Sequence, residues 1–449
     1  MKKSGIFLAL ISVLAACGEN RESIIVTPED LHKSVDQITE IMIHDIFSPP
    51  VASRIFSYPN IAAYEIVAGE NPEYRSLAGQ LPGLTPIPRP DSTAAVNYQL
   101  AAMVAHMELS KRLIFSEVRM EAYRDSLFGV WEAVNDEELQ ASKNYGMQVV
   151  DHIAKWMDKD NYKQTRTMPK FTVNTEDPAR WQPTPPAYMD GIEPHWNKIR
   201  TFVIDSASQF KPAPPPPFSM DEGSDFYKEV REVYEISERI MSEGDDSEEV
   251  EIARFWDCNP YVSVTRGHLM FATKKITPGA HWMGIAKIAS RKAGLGFDDT
   301  VYAYTRTSMA LFDGFISCWD EKYRSNLIRP ETLINQHFDE NWKPILQTPP
   351  FPEYSSGHSV VSGAASTVLT DIFGDNFSFT DDTEVPYGLP ERKFSSFNQA
   401  AAEAAISRMY GGIHYRAAVE VGLDQGRNLG SYHVKKLEMR QDKAILAAQ

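Results

Sequence analysis

PEYSSGHSV, residues 352–360, is the stretch on which the reading of this chain turns. A Ser-Gly-His triplet with a Pro-x-Tyr lead-in stands before a run of small residues, SVVSGAASTVL, that reads as a helix. Two readings of it are open. One is a serine cap followed by a satisfied surface histidine. The other is half of an anion site, because free N–H groups and the positive end of the dipole meet at a helix start. In that case Gly357 lets an oxyanion approach the backbone, Ser356 adds a hydroxyl donor, and His358 moves a proton near neutral pH.

Two neighbouring segments bear on the choice. In KYRSNLIRP (322–330), Lys322 and Arg329 are seven residues apart. On a helix, seven steps return to within about 20° of the same face, about 10 Å along the axis. Both cations then reach one site from one side, and Pro330 is expected to end the helix. A solvated charged face is the alternative. In SRMYGGIHYR (407–416), which follows the Ala-rich helix NQAAAEAAI, Arg408 and His414 are six apart. A continuous helix would separate them by about 120°, but Gly411-Gly412 permits a break that turns His414 back. A glycine-capped helix end is the alternative. Together the segments hold Lys322, Arg329 and Arg408, with Ser356, Gly357 and two histidines. That inventory suits a tetrahedral oxyanion, whose charge two guanidinium forks and one ammonium offset.

The remaining composition is consistent with a local basic site in an acidic protein. The 449 residues are 43% hydrophobic and carry a net charge of -16. A nucleic-acid partner needs clustered Lys and Arg and is not expected. Lys2 and Lys3 precede a short apolar run, IFLALISVLAA (6–16), well under the roughly 20 residues that span a bilayer. Leu14-Ala15-Ala16-Cys17 resembles a bacterial lipobox, with Cys17 acylated as the mature N-terminus. The expectation is an exported envelope lipoprotein, held to the membrane through that lipid only. A soluble secreted protein with an incidental Cys17 is the alternative. Cys258 and Cys318 are either bridged, as an oxidising compartment allows, or free and buried.

The chain reads as all-α. Thr27-Pro28-Glu29-Asp30 is a helix start, and Leu31, Val35, Ile38, Met42 and Ile46 mark one helix face. Ser48-Pro49-Pro50 stops it. Helices are expected at 94–115, 116–134 and 137–157. Residues 168–218 are proline-rich and extended, ending in PAPPPP (212–217). Helices resume from Asp225 with FYKEVREVYEISERIMS, IARFW and, after Thr277-Pro278-Gly279, HWMGIAKIASRKAG. His281-Trp282 at that turn reads as packing. No strand alternation or hairpin dipeptide stands out, and there is no internal repeat. The expected organisation is a signal peptide (1–16), a tether (17–26), an N-terminal helical half (27–211), a Pro-rich connection (212–224) and a C-terminal anion-binding bundle (225–445).

K-x6-R-P, then S-G-H, then S-R-x5-H resembles the signature of the type 2 phosphatidate phosphatase and vanadium-dependent haloperoxidase superfamily. Within it the chain is similar to bacterial vanadium haloperoxidases, especially iodoperoxidases. The likeness extends to SPPVASRIFSYPNIAAYE (48–65), FWDCNPY (255–261) and TPGAHW (277–282). The resemblance implies an all-helical fold of two bundles with vanadate in the C-terminal half. It implies His414 as the axial metal ligand and Lys322, Arg329 and Arg408 as cations facing the vanadate oxygens. Ser356 and the Gly357 amide would donate hydrogen bonds, and His358 would be the acid/base. Phe351, Trp319 and Tyr261 are expected to line the pocket. Hydrogen peroxide would give a His-ligated peroxovanadate, which iodide or bromide would attack to release hypohalous acid.

Residue physics adds that His414 must be neutral to bind metal, which three cations favour. An oxyanion beside His358 favours its imidazolium, so the two histidines are expected to part in pKa. Two positions depart from the superfamily pattern. Ser355 stands where Pro is common, a change expected to act on loop stiffness. Ala418 stands where the phosphatases carry an Asp that orients the histidine nucleophile; a backbone carbonyl is the expected substitute. The alternatives are a phosphomonoesterase with His414 as nucleophile, phosphate occupying the same site, and a non-enzymatic envelope lipoprotein.

Overall fold

The computed structural model describes residues 21–244, 247–260, 263–266, 269–272 and 275–441. Its helices in the first half are α1 (Pro28–Asp45), α2 (Pro49–Glu70), α3 (Tyr98–Lys111), α4 (Glu117–Met157) and the single turn α5 (Tyr162–Thr165). The second half holds α6 (Asp225–Glu243), α7 (Glu248–Phe255), α8 (Pro278–Ala293), α9 (Phe297–Ser325), α10 (Pro330–His337), α11 (Gly357–Phe373), α12 (Phe397–Tyr410) and α13 (Arg416–Lys436).

Local chemistry accounts for most boundaries. Asp30 accepts hydrogen bonds from the Thr27 amide and hydroxyl, both at 2.8 Å, and so closes the start of α1. Leu31, Val35, Ile38 and Met42 are buried as their spacing predicts. Ile46 is not: it caps α1 in the left-handed region (φ 56°) and is 40% exposed. Ser48-Pro49-Pro50 ends one helix and starts the next, with Ser48 as N-cap and proline in the first turn of α2. The expected pair 116–134 and 137–157 forms one long helix kinked at Asn135, where φ/ψ is -156°/92°.

The absence of strands is corrected. Strand β1 (Ser263–Arg266) pairs antiparallel with β2 (Leu269–Ala272), and β3 (Phe379–Asp381) with β4 (Arg392–Phe394). These segments are three or four residues long, too short for alternation to be read in sequence.

The largest apolar core among the described residues runs from Ile24 to Met439 and draws on both halves. Helix α2, buried from Pro49 to Val67, packs on α3 and on α9. Helix α9 also meets α8 and α11, and α11 in turn packs on α12 and α13. The α11–α13 contact is backbone to backbone: a Cβ on Gly426 would stand 2.0 Å from the Val360 carbonyl oxygen. That approach brings the start of α11 beside the start of α13. The proline-rich segment wraps behind this region. Tyr323 Oη donates to the Ile192 carbonyl at 2.6 Å, and Tyr354 Oη to the Ala213 carbonyl at 2.5 Å. No helix among the described residues is long and apolar enough to cross a membrane.

Candidate active site

The two cations of KYRSNLIRP meet, but not along one helix face. Helix α9 ends at Ser325, and Asn326 reverses the chain in the left-handed region at φ 48°. Arg329 is the N-cap of α10, and Pro330 opens that helix rather than closing one. Proline's fixed φ and missing N–H suit a first helical position as well as a stop, which is why the sequence admitted the wrong choice. Lys322 and Arg329 are both fully buried.

The other two segments follow their expected geometry. Ser356 caps α11, its Oγ accepting from the Ser359 amide at 3.3 Å, and Gly357 is the first helical residue. Helix α12 ends at Tyr410, and Gly412 takes a positive φ of 76° before α13 begins at Arg416. The break brings Arg408 and His414 to one small cavity of about 30 Å³, lined also by Trp319, Phe351, Gly357 and His358. Trp319 and Phe351 pack at 5.0 Å between centroids, and the Lys322 ammonium lies 4.9 Å from the Phe351 ring. Tyr261 and Cys17 lie outside the described residues.

Hydrogen bonds hold the cations in place without using all their donors. Lys322 Nζ donates to the Pro352 and Glu353 carbonyls at 3.1 and 3.0 Å. Arg329 donates through Nε to the Phe351 carbonyl at 2.9 Å and through Nη1 to the Ile413 carbonyl at 2.8 Å. Arg408 Nη1 donates to the Trp256 carbonyl at 2.8 Å. Arg329 Nη2, Arg408 Nε and His358 Nε2 are buried with no partner. Such orphans are costly in a protein interior. Three buried cations face two buried carboxylates here, one of which, Asp257 beside Arg408, is already paired with Lys275, so positive charge is in excess and an oxyanion satisfies both the donors and the charge. A Cβ on Gly357 would stand 3.6 Å from the Trp319 ring and 3.9 Å from Lys322 Cε. Glycine therefore leaves that space open beside the free amides of α11. The residues fit vanadate, or phosphate, of the same shape.

The other carboxylate is Glu353, which sequence reasoning missed although it lies inside the opening stretch. Its Oε1 accepts from His414 Nδ1 at 2.7 Å and from the Tyr415 amide at 3.0 Å. The orienting partner of His414 is thus a side chain, not the backbone carbonyl expected from Ala418. With Nδ1–H directed at Glu353, His414 Nε2 keeps its lone pair, which accepts from Arg329 Nη1 at 3.1 Å. The one available signal was an acid in an otherwise apolar, small-residue approach to the Ser-Gly-His triplet. Ser355, the other departure, donates to Gln425 Oε1 at 2.7 Å and anchors the loop to α13.

Electrostatics follow burial. Desolvation, then Arg329, Lys322 and Arg408, hold His414 well below the ordinary histidine range. Desolvation lowers Lys322 to about 7 and Arg329 to about 10, and raises Glu353 to about 8. The expected separation of the histidines is not produced by the protein alone. His358 is also held well below its usual value, by desolvation and then by Arg408 and His281. Protein charges push both imidazoles the same way, so only the charge of a bound anion can raise His358 selectively. Cys258 and Cys318 are free and buried.

A family model described as the second helical-bundle domain of VCPO matches residues 302–443, which contain all three segments. A vanadium-dependent bromoperoxidase of Corallina officinalis is 34% identical over 96 residues, which is 19% of this chain and 15% of that protein's length. Among solved structures, a bacterial vanadium-dependent chloroperoxidase in its holo form shares the fold at 16% identity. Its TM-score is 0.66, over 87% of this chain and 93% of that one. A crystal structure described as the first bacterial vanadium-dependent iodoperoxidase is 71% identical. It covers 94% of this chain and 100% of its own, with a TM-score of 0.91. With that likeness over nearly its whole length, and with a cradle built for a tetrahedral oxyanion, the chain belongs to the vanadium-dependent haloperoxidases, peroxide-consuming oxidoreductases that carry vanadate as cofactor.

Proposed function

We propose that this chain oxidises iodide with hydrogen peroxide, releasing hypohalous acid, and that Lys322, Arg329, Arg408, Ser356 and the Gly357 amide hold the vanadate. The observation that carries the reading is the set of buried, partnerless donors on Arg408 and His358, which line one cavity, and on Arg329, which touches His414 at its edge. Bound vanadate supplies a Lewis-acidic centre that activates peroxide and stays oxidised throughout. His414 offers Nε2 as its protein ligand, and Glu353 fixes the ring by accepting from Nδ1. His358 takes and returns a proton through Nε2, while its ring is held by a hydrogen bond with the Trp256 backbone. The walls contributed by Phe315, Trp319, Phe351, Pro49 and Pro349 are apolar. They favour the halide that sheds water most readily, which is iodide. The 71% identical iodoperoxidase supports the same preference.

The test is reconstitution with orthovanadate, followed by peroxide-dependent oxidation of iodide and bromide. Iodide oxidation that needs vanadate and disappears in His414→Ala is the expected result. Equal or faster turnover of bromide overturns the halide assignment.

One observation favours a second activity. The Glu353–His414 hydrogen bond supplies the orienting carboxylate that a histidine nucleophile requires and that Ala418 withholds. Phosphomonoester hydrolysis is therefore expected as a side activity without vanadate. Release of p-nitrophenol that vanadate inhibits would support it; no release would remove it.

For the N-terminus, which lies outside the described residues, we propose acylation of Cys17 and anchoring at the cell envelope. Partition of the native chain into detergent, lost in Cys17→Ala, is the expected result. Equal partition of both would overturn it.

A further inference from the structure

At the wall of the cavity, to which Cys258 contributes, lies a second polar cluster that the oxyanion chemistry does not use. Cys258, His281 and Glu384 converge there, fully buried, from three distant parts of the chain. Cys258 follows α7, His281 is in the first turn of α8, and Glu384 lies just beyond β3. Cys258 Sγ is 3.4 Å from His281 Nδ1 and 3.8 Å from Glu384 Oε1, and His281 Nδ1 is 3.5 Å from Glu384 Oε1.

Two of those separations have the dimensions of one face of a coordination tetrahedron, and the third, Cys258 Sγ to Glu384 Oε1, is about 0.2 Å longer. Zinc–sulfur bonds of about 2.3 Å and zinc–nitrogen or –oxygen bonds of about 2.0–2.2 Å put neighbouring donors roughly 3.3–3.6 Å apart. A second observation points the same way. His281 Nε2 lies 2.9 Å from Asp381 Oδ2, and Asp381 Oδ1 accepts from the Thr383 amide at 3.0 Å. A carboxylate on the far nitrogen of a histidine fixes its tautomer, leaves the near nitrogen free to ligate and raises its basicity. Charge is compatible as well: once the thiol has given up its proton, a thiolate, a neutral imidazole and a carboxylate together balance a dication.

We propose that Cys258, His281 and Glu384 bind one divalent zinc ion, with Asp381 as the partner that orients His281 and water at the fourth position. Thiolate, imidazole and carboxylate form a donor set typical of zinc and distinct from the oxygen-only sets of calcium and magnesium. On binding, the thiol proton and any proton on His281 Nδ1 leave to solvent, and no electron moves. The ion would join α8, the segment after α7 and the loop after β3. It would thereby brace Trp256, whose ring stacks on His281 at 4.4 Å and whose carbonyl holds Arg408. This inference does not depend on which halide the cavity serves.

The test uses the full chain, purified with zinc present and without vanadate. Elemental analysis should find about one zinc per chain. Exchange of that zinc for Co²⁺ should give thiolate-to-cobalt absorption in the near ultraviolet, absent in Cys258→Ser and weakened in Asp381→Asn. The melting temperature of the native chain should rise with zinc concentration. Zinc below about a tenth of an equivalent, with no thiolate-to-cobalt band in the native chain, would overturn the proposal. In that case the cluster is a protonated histidine held between two carboxylates. The native chain alone decides the outcome, so a variant that fails to fold does not blunt the test.

Discussion

Two buried ionic centres in this molecule look alike in composition and differ in kind. In the N-terminal half, Arg54 Nε donates to Asp160 Oδ2 at 2.7 Å, Tyr58 Oη donates to the same oxygen at 2.9 Å, and the Tyr162 amide donates to Oδ1 at 2.9 Å. Arg54 meets Asp160 directly and both carboxylate oxygens are used, while Arg200 adjoins them, donating to Tyr58 Oη at 3.0 Å with its Nε left over. In the C-terminal half, Lys322 and Arg329 face Glu353 and Arg408 faces Asp257, which Lys275 already pairs, and among the side-chain atoms without a partner are Arg329 Nη2, Arg408 Nε, His358 Nε2 and Glu353 Oε2. The first centre is closed and ties α2 to the end of α4. The second is open, with donors of several side chains unspent at one cavity. Neither buried charge nor a single orphaned donor separates scaffold from site; several orphaned donors converging on one cavity do.

Variants can break this contrast at either end. The largest effect is expected from His414→Ala, which removes the imidazole nitrogen proposed as the metal ligand. Vanadate-dependent iodide oxidation should fall by about a thousandfold or more, with an unchanged circular dichroism spectrum. Next is Asp160→Asn in the closed centre. It leaves the Arg54 charge buried without its partner and should cost about 3–5 kcal/mol of stability by denaturant unfolding. Vanadate affinity measured on the folded protein should not change. A loss of affinity there would mean that the two centres are coupled through α2 and α9.

Glu353→Gln sharpens the role of the carboxylate on His414. The amide oxygen can still accept from His414 Nδ1, but the charge is lost, and vanadate affinity should drop roughly 10–100-fold. No change would assign Glu353 to packing alone.

The smallest effect is a pH slope. Desolvation lowers the Lys322 pKa to about 7. A bound oxyanion prefers the ammonium, so below pH 7 no proton has to be acquired on binding. Above it, each pH unit should weaken binding by up to about tenfold from this group. Lys322→Met should weaken vanadate binding at pH 6.5 and flatten the slope between pH 7 and 9 relative to the native chain. The titration of vanadate itself is common to both and cancels in the comparison. Parallel slopes in both proteins would show that Lys322 does not titrate in this range.

Much of the site was legible because its parts are local. Ser356 and Gly357 read as a helix start whatever surrounds them, and Gly411-Gly412 announces a break that lets Arg408 and His414 share a cavity. The helices with strong spacing or caps, α1, α6, α8 and α12, were legible for the same reason. Pro330 was ambiguous, because proline marks helix starts and stops alike, and the turn at Asn326 that decides between them has no strong local signal. The short strands were illegible because three or four residues cannot show alternation.

What the sequence determined by itself, then, is the set of chemical groups and the segments that carry them: three cations, two histidines, a capped helix start and a glycine break. Only the tertiary structure decided how those groups are charged and oriented. Glu353 reaches His414 across 61 residues of chain, and Cys258 reaches Glu384 across 126. Pairs at that separation leave no periodic trace in sequence, because nothing in local backbone geometry links their positions. Their partnership exists only once α9, α11 and α13 have packed, and packing also supplies the desolvation that sets the protonation states of the cavity.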